Sequence, residues 1–374
     1  MIRKLKFTLR QWLKMLLQNG ILPCVYWFWR KVYARREMDL IILADAHHDA
    51  VPESMVVLRE KLLEKGYTLT EEIHNFAKMS VLKSTWISVK FMRLYARAKI
   101  VFICDNFLPV VSCKKSEKTK VVQLWHCCGL MKKMGYDTAE DIPAGYKGAV
   151  YRNYDLMTVS SPNCVGPLTK ATHLPEGVLQ PLGVSRTDVY LDEKWLQDCR
   201  EEFYGSHPEA VGKKIILWAP TFRGSATDPY QVGVEAIEAL ERQMGEDFYL
   251  IRKVHPHIDD RYHLSNCDII TERLLPVTDL LITDYSTVMT EFLFFDKPYV
   301  LFAPDLEEYQ QKRGFYIDYE WLSPYLVTRD EELSETVSRA LQEKDLSWLE
   351  EIKAFQISAC DGNSTRRIMD AVGL

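Results

Sequence analysis

The chain has 374 residues, a formal net charge of −5 and 47% hydrophobic residues, which is more than one core normally holds, so two domains are expected. This overall charge gives no case for nucleic acid as a partner. The nine cysteines are odd in number and scattered, without C-x-x-C spacing, which speaks against a zinc ribbon or a dithiol redox motif and for reduced thiols.

Residues 1–36 carry nine Lys/Arg and no acid before Glu37. Leu5, Leu9, Trp12, Leu13, Leu16 and Leu17 recur at helical spacing, with Arg3, Lys6, Arg10 and Lys14 on another face. After a break expected near Asn19-Gly20, Leu22, Val25, Tyr26, Trp29, Val32 and Tyr33 mark a second helix. Basic, aromatic-rich amphipathic helices suit an anionic membrane surface. The apolar stretch Ile21–Trp29 falls well short of the ~20 residues a membrane span needs. The bland alternative is a helical hairpin packed on the body of the protein.

From Met38 onward, short Val/Ile/Leu runs alternate with helical stretches. Strands are expected at 38–45, 99–104, 120–126, 155–160 and 178–182, with helices at 53–66 and 82–97. A second series begins near 213 with KKIILWAP, FYLIRKVHP, CDIIT, DLLITD and PYVLFAP. Continuous apolar strands separated by helices imply parallel sheets, hence an α/β fold of two doubly wound Rossmann-like domains facing a cleft. The expected division is 1–36 amphipathic helices, 37–190 first domain and 191–374 second domain. Ligands in such sheets bind at the carboxyl ends of strands.

That rule selects His126, ending KVVQLWH, and His255 in KVHPHID. It also selects LLITDYSTVMTEF, where Asp284 ends a strand and Ser286-Thr287 open a helix running through Glu291. Hydroxyls and free N–H groups at a helix start suit phosphate. In WAPTFRGS, Arg223 is a possible guanidinium clamp. Each has a bland reading: a structural histidine, a plain N-cap, a surface salt bridge, and for Lys132-Lys133 a solvated turn. Adjacent Cys127 and Cys128 beside His126 make a poor metal site, with no further ligands nearby in sequence. The ADAHHDA segment at 44–50 reads as a polar loop leading into a helix. No G-x-G-x-x-G or Walker loop is present, which weakens oxidoreductase and kinase readings.

Across residues 90–325, "AKIVFICDNF", "VVQLWHCCGLMKKMGYD", "APTFRGS", "KVHPHID", "TDYSTVMTEFLFFDKPYVLFAPDLEEY" and "RGFYIDY" occur in order. Together they resemble the CDP-glycerol glycerophosphotransferase family of teichoic acid synthesis, in length its short, primase-like type. The resemblance implies a GT-B-like fold and peripheral association with the cytoplasmic face of the cell membrane. It further implies transfer of glycerol phosphate from CDP-glycerol to an undecaprenyl-diphosphate-linked saccharide acceptor, with release of CMP. It puts His126 in the role of general base on the acceptor-side domain and CDP-alditol binding on the second domain. His255, Ser286, Thr287 and more weakly Arg223 would stabilise phosphoryl charge. Asp284, Glu291 and more weakly Asp305 would orient these groups or hold glycerol hydroxyls, and Lys132 would face the anionic ligand. No resident cofactor or metal is needed, and loosely bound Mg²⁺ is compatible with the scheme.

The sequence departs from relatives at Gly183-Val184-Ser185-Arg186, where Gly-Tyr-Pro-Arg is frequent, and in the ADAHHD loop. Both bear on the acceptor more than on the chemistry. Alternatives are a teichoic acid polymerase, a CDP-ribitol enzyme, a nucleotide-sugar glycosyltransferase or epimerase of the same architecture, and a non-catalytic lipid-carrier binding module.

Overall fold

The computed structural model describes residues 12–36, 38–142, 146–225 and 228–374. The helical pattern expected over Arg3, Leu5, Lys6, Leu9 and Arg10 lies outside them. The chain divides into two compact units. Residues up to Cys127, Met134–Asp188 and Ala359–Leu374 form the first, and Cys128–Lys133 with Val189–Ser358 form the second.

The first unit is built on a six-stranded parallel sheet of β1 (Leu40–Asp45), β2 (Leu69–Ile73), β3 (Ala98–Ile103), β4 (Lys120–Gln123), β5 (Leu156–Thr158) and β6 (Leu179–Gln180). Their spatial order is β2-β1-β3-β4-β5-β6. The strands are short and rich in Val, Ile and Leu because both faces are covered. On one face Ile41, Leu43, Ile100, Phe102 and Val122 pack with Met55, Leu58 and Leu62 of helix Glu53–Glu64. Helix Ser364–Val372 adds Ile368, Met369 and Val372 to the same core.

That last helix corrects the expected 191–374 boundary. Its start is held by Asp188, whose two carboxylate oxygens accept from the backbone N–H groups of Ser364 (2.9 Å) and Thr365 (2.8 Å). A carboxylate there satisfies free amides and meets the positive end of the helix. The C-terminal residues therefore complete the first unit.

The N-terminal segment also packs on this unit. Its helix continues through Leu17–Ile21 as a single wide π turn, instead of breaking at Asn19-Gly20, and runs on as Leu22–Val32. Gln18, fully buried, explains the distortion: its side chain donates to Ala149 O (2.5 Å) and accepts from Tyr146 OH (2.5 Å). Farther along, Leu22, Tyr26 and Tyr33 are buried, and the Tyr26 ring lies 5.1 Å from Tyr95 of helix Val81–Tyr95. Trp12, Leu13, Leu16, Trp27 and Phe28 remain exposed. Among the described residues, no helix is long and apolar enough to cross a membrane.

The second unit carries a five-stranded parallel sheet in the order β10-β7-β11-β12-β13. Its strands are β7 (Lys214–Trp218), β10 (Phe248–Arg252), β11 (Leu280–Thr283), β12 (Tyr299–Phe302) and β13 (Leu326–Val327). A small antiparallel hairpin, β8 (Arg223–Ser225) with β9 (Asp228–Tyr230), projects after β7. The expected strand at CDIIT is absent. There the Asn266 side chain accepts from Arg252 N–H (2.8 Å) and donates to Leu250 O (2.9 Å), so a side chain replaces the ladder beside β10.

Segment Cys128–Lys133 belongs to this second unit and is fastened there. Buried Gln356 accepts from Leu130 N–H (2.6 Å) and donates to Leu130 O (3.1 Å). Thr290 Oγ1 donates to Cys128 O (2.9 Å), and Lys132 forms a bridge with Phe315. Gly129 sits at φ +75°, and a Cβ there would come within 2.6 Å of Thr290 Cγ2. Only glycine accommodates that turn without a shift.

Candidate active site

In the first unit the polar side chains gather where β1, β3 and β4 end. Strand β4 stops at Gln123, three residues earlier than expected, and Trp125 takes a left-handed φ of 61°. A bulky residue in that region is unusual. Here it turns the chain so that the half-buried His126 reaches back to β3, its Nδ1 lying 3.0 Å from the carbonyl oxygen of Cys104. A carbonyl only accepts, so Nδ1 carries the hydrogen and Nε2 of the neutral ring presents its lone pair. Asp105 Oδ2 lies 3.8 Å from the same Nδ1.

Burial disfavours a charged His126 ring. Cys127, Asp105 and the Cys104 carbonyl outweigh it and raise the pKa to about 10. Cys127 makes the largest of the raising contributions, through charge and a hydrogen bond. Cys127 is therefore a partner of the histidine. A base must be unprotonated, so this pairing holds His126 back at neutral pH.

The ADAHHDA loop borders the same group. Asp45 is buried, and its Oδ2 accepts from the backbone N–H groups of His47 and His48 (2.7 Å each) and lies 3.0 Å from His48 Nδ1. Burial works against the Asp45 charge, but the His48 ring and these N–H groups hold its carboxyl below the usual range. The bond to Asp45 in turn raises His48. His47 Nε2 lies 3.9 Å from Asp105 Oδ2, which links the loop to the neighbourhood of His126. Asp105 and Asp45 were not among the sequence candidates, although Asp45 ends β1, Asp105 follows β3, and both obey the rule that selected His126. Among the described residues, no group of three or more His, Cys, Asp or Glu is placed to hold a metal ion.

In the second unit the candidates lie at the ends of β7, β10, β11 and β12. Arg223 is buried, not displayed to an anion. Its Nε and Nη2 donate to the two Asp305 oxygens (2.7 and 2.9 Å), Nη2 also donates to Asp284 Oδ2 (2.9 Å), and Nη1 donates to Thr221 O (2.5 Å). The guanidinium lies over Tyr285 (4.7 Å) and Tyr309 (5.2 Å), two rings stacked 3.7 Å apart. Asp284 accepts from Thr221 N–H (2.7 Å), and Asp305 from Tyr285 OH (3.0 Å). Burial works against the Asp305 charge, yet Arg223 and Tyr285 hold its carboxyl below the usual range.

The polar atoms of Arg223, Asp284 and Asp305 are largely occupied by one another, an arrangement that fits the expected orienting role of the two aspartates and not an Arg223 displayed as a phosphate clamp. Glu291 is likewise buried and accepts from Tyr190 OH. Lys132 is half-buried in the bridge to Phe315, not in a solvated turn. His255 is exposed just past β10, its carbonyl accepting from Ile258 N–H (2.8 Å) and its ring 4.5 Å from Phe222. Ser286 and Thr287 are half-buried ahead of the one-turn helix Val288–Phe292, and Ser286 Oγ accepts from Val288 N–H (3.3 Å). His255, Ser286 and Thr287 are the candidates here that sit on partly open positions above the Arg223 framework.

Two doubly wound parallel sheets with polar side chains at their strand ends define a GT-B-like α/β transferase. A family model described as CDP-Glycerol:Poly(glycerophosphate) glycerophosphotransferase matches residues 30–374, and the chain belongs to that family. It is 27% identical over 355 residues to a teichoic acid ribitol-phosphate primase of Bacillus spizizenii, covering 89% of this chain and 90% of that protein. A teichoic acid glycerol-phosphate primase of Bacillus subtilis is 32% identical over 259 residues, 65% of this chain and 66% of that protein. A ribitol-phosphate polymerase of Staphylococcus aureus is 32% identical over 289 residues, and there the match spans 72% of this chain but 50% of the relative. Among solved structures, the wall teichoic acid polymerase TagF superposes over the whole chain with a TM-score of 0.72 at 17% identity. A UDP-GlcNAc 2-epimerase from Neisseria meningitidis superposes over 89% of the chain with a TM-score of 0.54 at 12% identity. These last two likenesses concern the fold.

Two outcomes are expected. Cys127→Ala removes the strongest group favouring the imidazolium, so the pKa of His126 falls and the acid limb of the kcat/KM profile moves to lower pH by roughly a unit or more. An unmoved limb would dissociate the thiol from the histidine. Arg223→Ala leaves Asp284 and Asp305 buried without their cation, and denaturant unfolding should show a loss of about 3–5 kcal/mol. Unchanged stability with a raised donor KM would instead restore the phosphate-clamp role.

Proposed function

We propose that this transferase moves an alditol phosphate from a CDP-alditol to a hydroxyl of a lipid-linked saccharide and releases CMP, at the cytoplasmic face of the membrane. The observation that carries the proposal is the His126 geometry: Nδ1 is tied to Cys104 O, so the proton the ring gives up and takes back is the one on Nε2. The acceptor oxygen attacks the alditol-side phosphorus while its proton passes to Nε2. A new P–O ester forms, the bond to the CMP oxygen breaks, and CMP leaves with the electron pair. Asp105 favours the imidazolium as it forms.

On the second unit, His255, Ser286 and Thr287 take the pyrophosphate and its developing charge. The Arg223–Asp284–Asp305 framework fixes the loops that carry them. Binding to an anionic membrane is supported by the exposed Trp12, Leu13, Leu16, Trp27 and Phe28 on a segment that carries Lys14, Arg30, Lys31, Arg35 and Arg36.

Glycerol is the first reading of the alditol, from the family description. Ribitol is the second, favoured by the near end-to-end match to a ribitol-phosphate primase. The same match, to a primase over 90% of its length, favours addition of a single unit.

The test is product mass after mixing the enzyme with CDP-glycerol, CDP-ribitol or a UDP-sugar and a disaccharide diphosphate lipid. One added glycerol phosphate is expected, with His126→Ala losing at least a hundredfold in CMP release while CDP-glycerol binding stays near wild type. A ladder of products would mean a polymerase, and turnover only with a UDP-sugar would sink the proposal.

A further inference from the structure

The first unit contains a cavity of about 820 Å³, within the range of ligand pockets. Leu13 and Leu17 of the N-terminal helix, Val81 of helix Val81–Tyr95, and Phe107, Leu108 and Val111 supply apolar walls. Three of its hydroxyls are turned to internal use. Ser84 Oγ donates to Ser80 O and Val81 O (3.3 and 3.1 Å), Ser88 Oγ donates to Ser84 O (2.8 Å), and Tyr146 OH donates to Gln18. Such hydroxyls show their carbon side to an occupant. Lys14 lines the cavity, but so do Glu140 and Asp141, so an anion gains little there. The space suits hydrocarbon.

Two further observations say where that hydrocarbon comes from. Leu13 and Val81 line the cavity and are also exposed (47% and 54%), in helices that further expose Trp12 and Leu16 on one side and Leu82 and Trp86 on the other. Exposed apolar groups on this scale mark an interaction surface. Residues 12–36 and 81–95 hold Lys14, Arg30, Lys31, Arg35, Arg36, Lys83, Lys90 and Arg93 without one acidic residue. Exposed apolar side chains on segments whose charges are all positive match an anionic bilayer. The lining also includes His47 and Asn106, and His47 lies 3.9 Å from Asp105, the carboxylate beside His126.

We propose that this cavity takes the first isoprenoid units of the acceptor lipid, drawn from the bilayer past Leu13 and Val81, and so sets the attached saccharide near His126. The proposal rests on the lipid-linked acceptor of the preceding reading and adds its binding site. It also assigns helix Val81–Tyr95 to the membrane-facing surface.

The experiment uses the full chain on anionic vesicles containing a diazirine-bearing polyprenyl diphosphate, followed by peptide mapping. Turnover is measured in parallel with two acceptors of identical saccharide head, one long-tailed and one with a short water-soluble tail. Labelling is expected within residues 13–17 and 76–88. Thr85→Trp and Ala77→Trp fill the cavity, so each should cut that labelling and raise KM for the long-tailed acceptor roughly tenfold or more. Each should leave the short-tailed acceptor and the melting temperature unchanged. Labelling elsewhere, or wild-type KM for the long tail in both variants, overturns the cavity assignment even if transfer proceeds. Correct, variant-sensitive labelling with no transfer to either acceptor leaves the cavity standing and overturns the reaction instead.

Discussion

A single hydrogen bond, between Nδ1 of His126 and the carbonyl oxygen of Cys104, decides what chemistry the first unit can perform. It joins the chain leaving β4 to the end of β3 and keeps the hydrogen on Nδ1, so that Nε2 is the nitrogen that gains and loses the second proton. The left-handed Trp125 turn and the fully buried Gln123, which accepts from Trp125 N–H at 3.1 Å, hold the ring in that place. Because a parallel sheet directs its strand ends to one edge, Asp105 arrives beside the ring, and Asp45 beside the Cys104 thiol, without any local sequence signal linking them to His126.

The second unit meets the same need with a different device. The proposed donor binding by Ser286, Thr287 and His255 needs loops that do not move, and loops lack a ladder to fix them. Arg223 supplies the rigidity by binding the ends of β7, β11 and β12 into one buried network under two stacked tyrosines. A buried ion group of this kind is costly unless every partner is satisfied, and here both carboxylates and most of the guanidinium donors are.

Much of this was legible in the sequence. The Val/Ile/Leu-rich strands declared themselves, and the strand-end rule found His126 even though β4 stops three residues short of it. What was missed has physical reasons. Strand β2, LTEEI, lies at the sheet edge and needs no apolar face. Strand β13 has two residues, too few for any pattern. Asn266 hid behind an apolar CDIIT run that reads as a strand. Arg223 looked like a free cation because the two carboxylates that claim it lie far along the chain. Asp188, as the anchor of the C-terminal helix, was equally invisible to local reading, so the last residues were given to the wrong unit.

In the proposed reaction the first unit holds the acceptor, the base and a hydrocarbon cavity, the second unit holds the nucleotide donor, and turnover depends on proton removal by His126. The most direct measurement is CMP release by His126→Ala in the presence of added imidazoles of graded basicity. The account predicts that activity returns and that the rescued rate rises with the pKa of the additive, as a missing general base requires. No rescue by any imidazole, with donor binding intact and the variant folded, would contradict it.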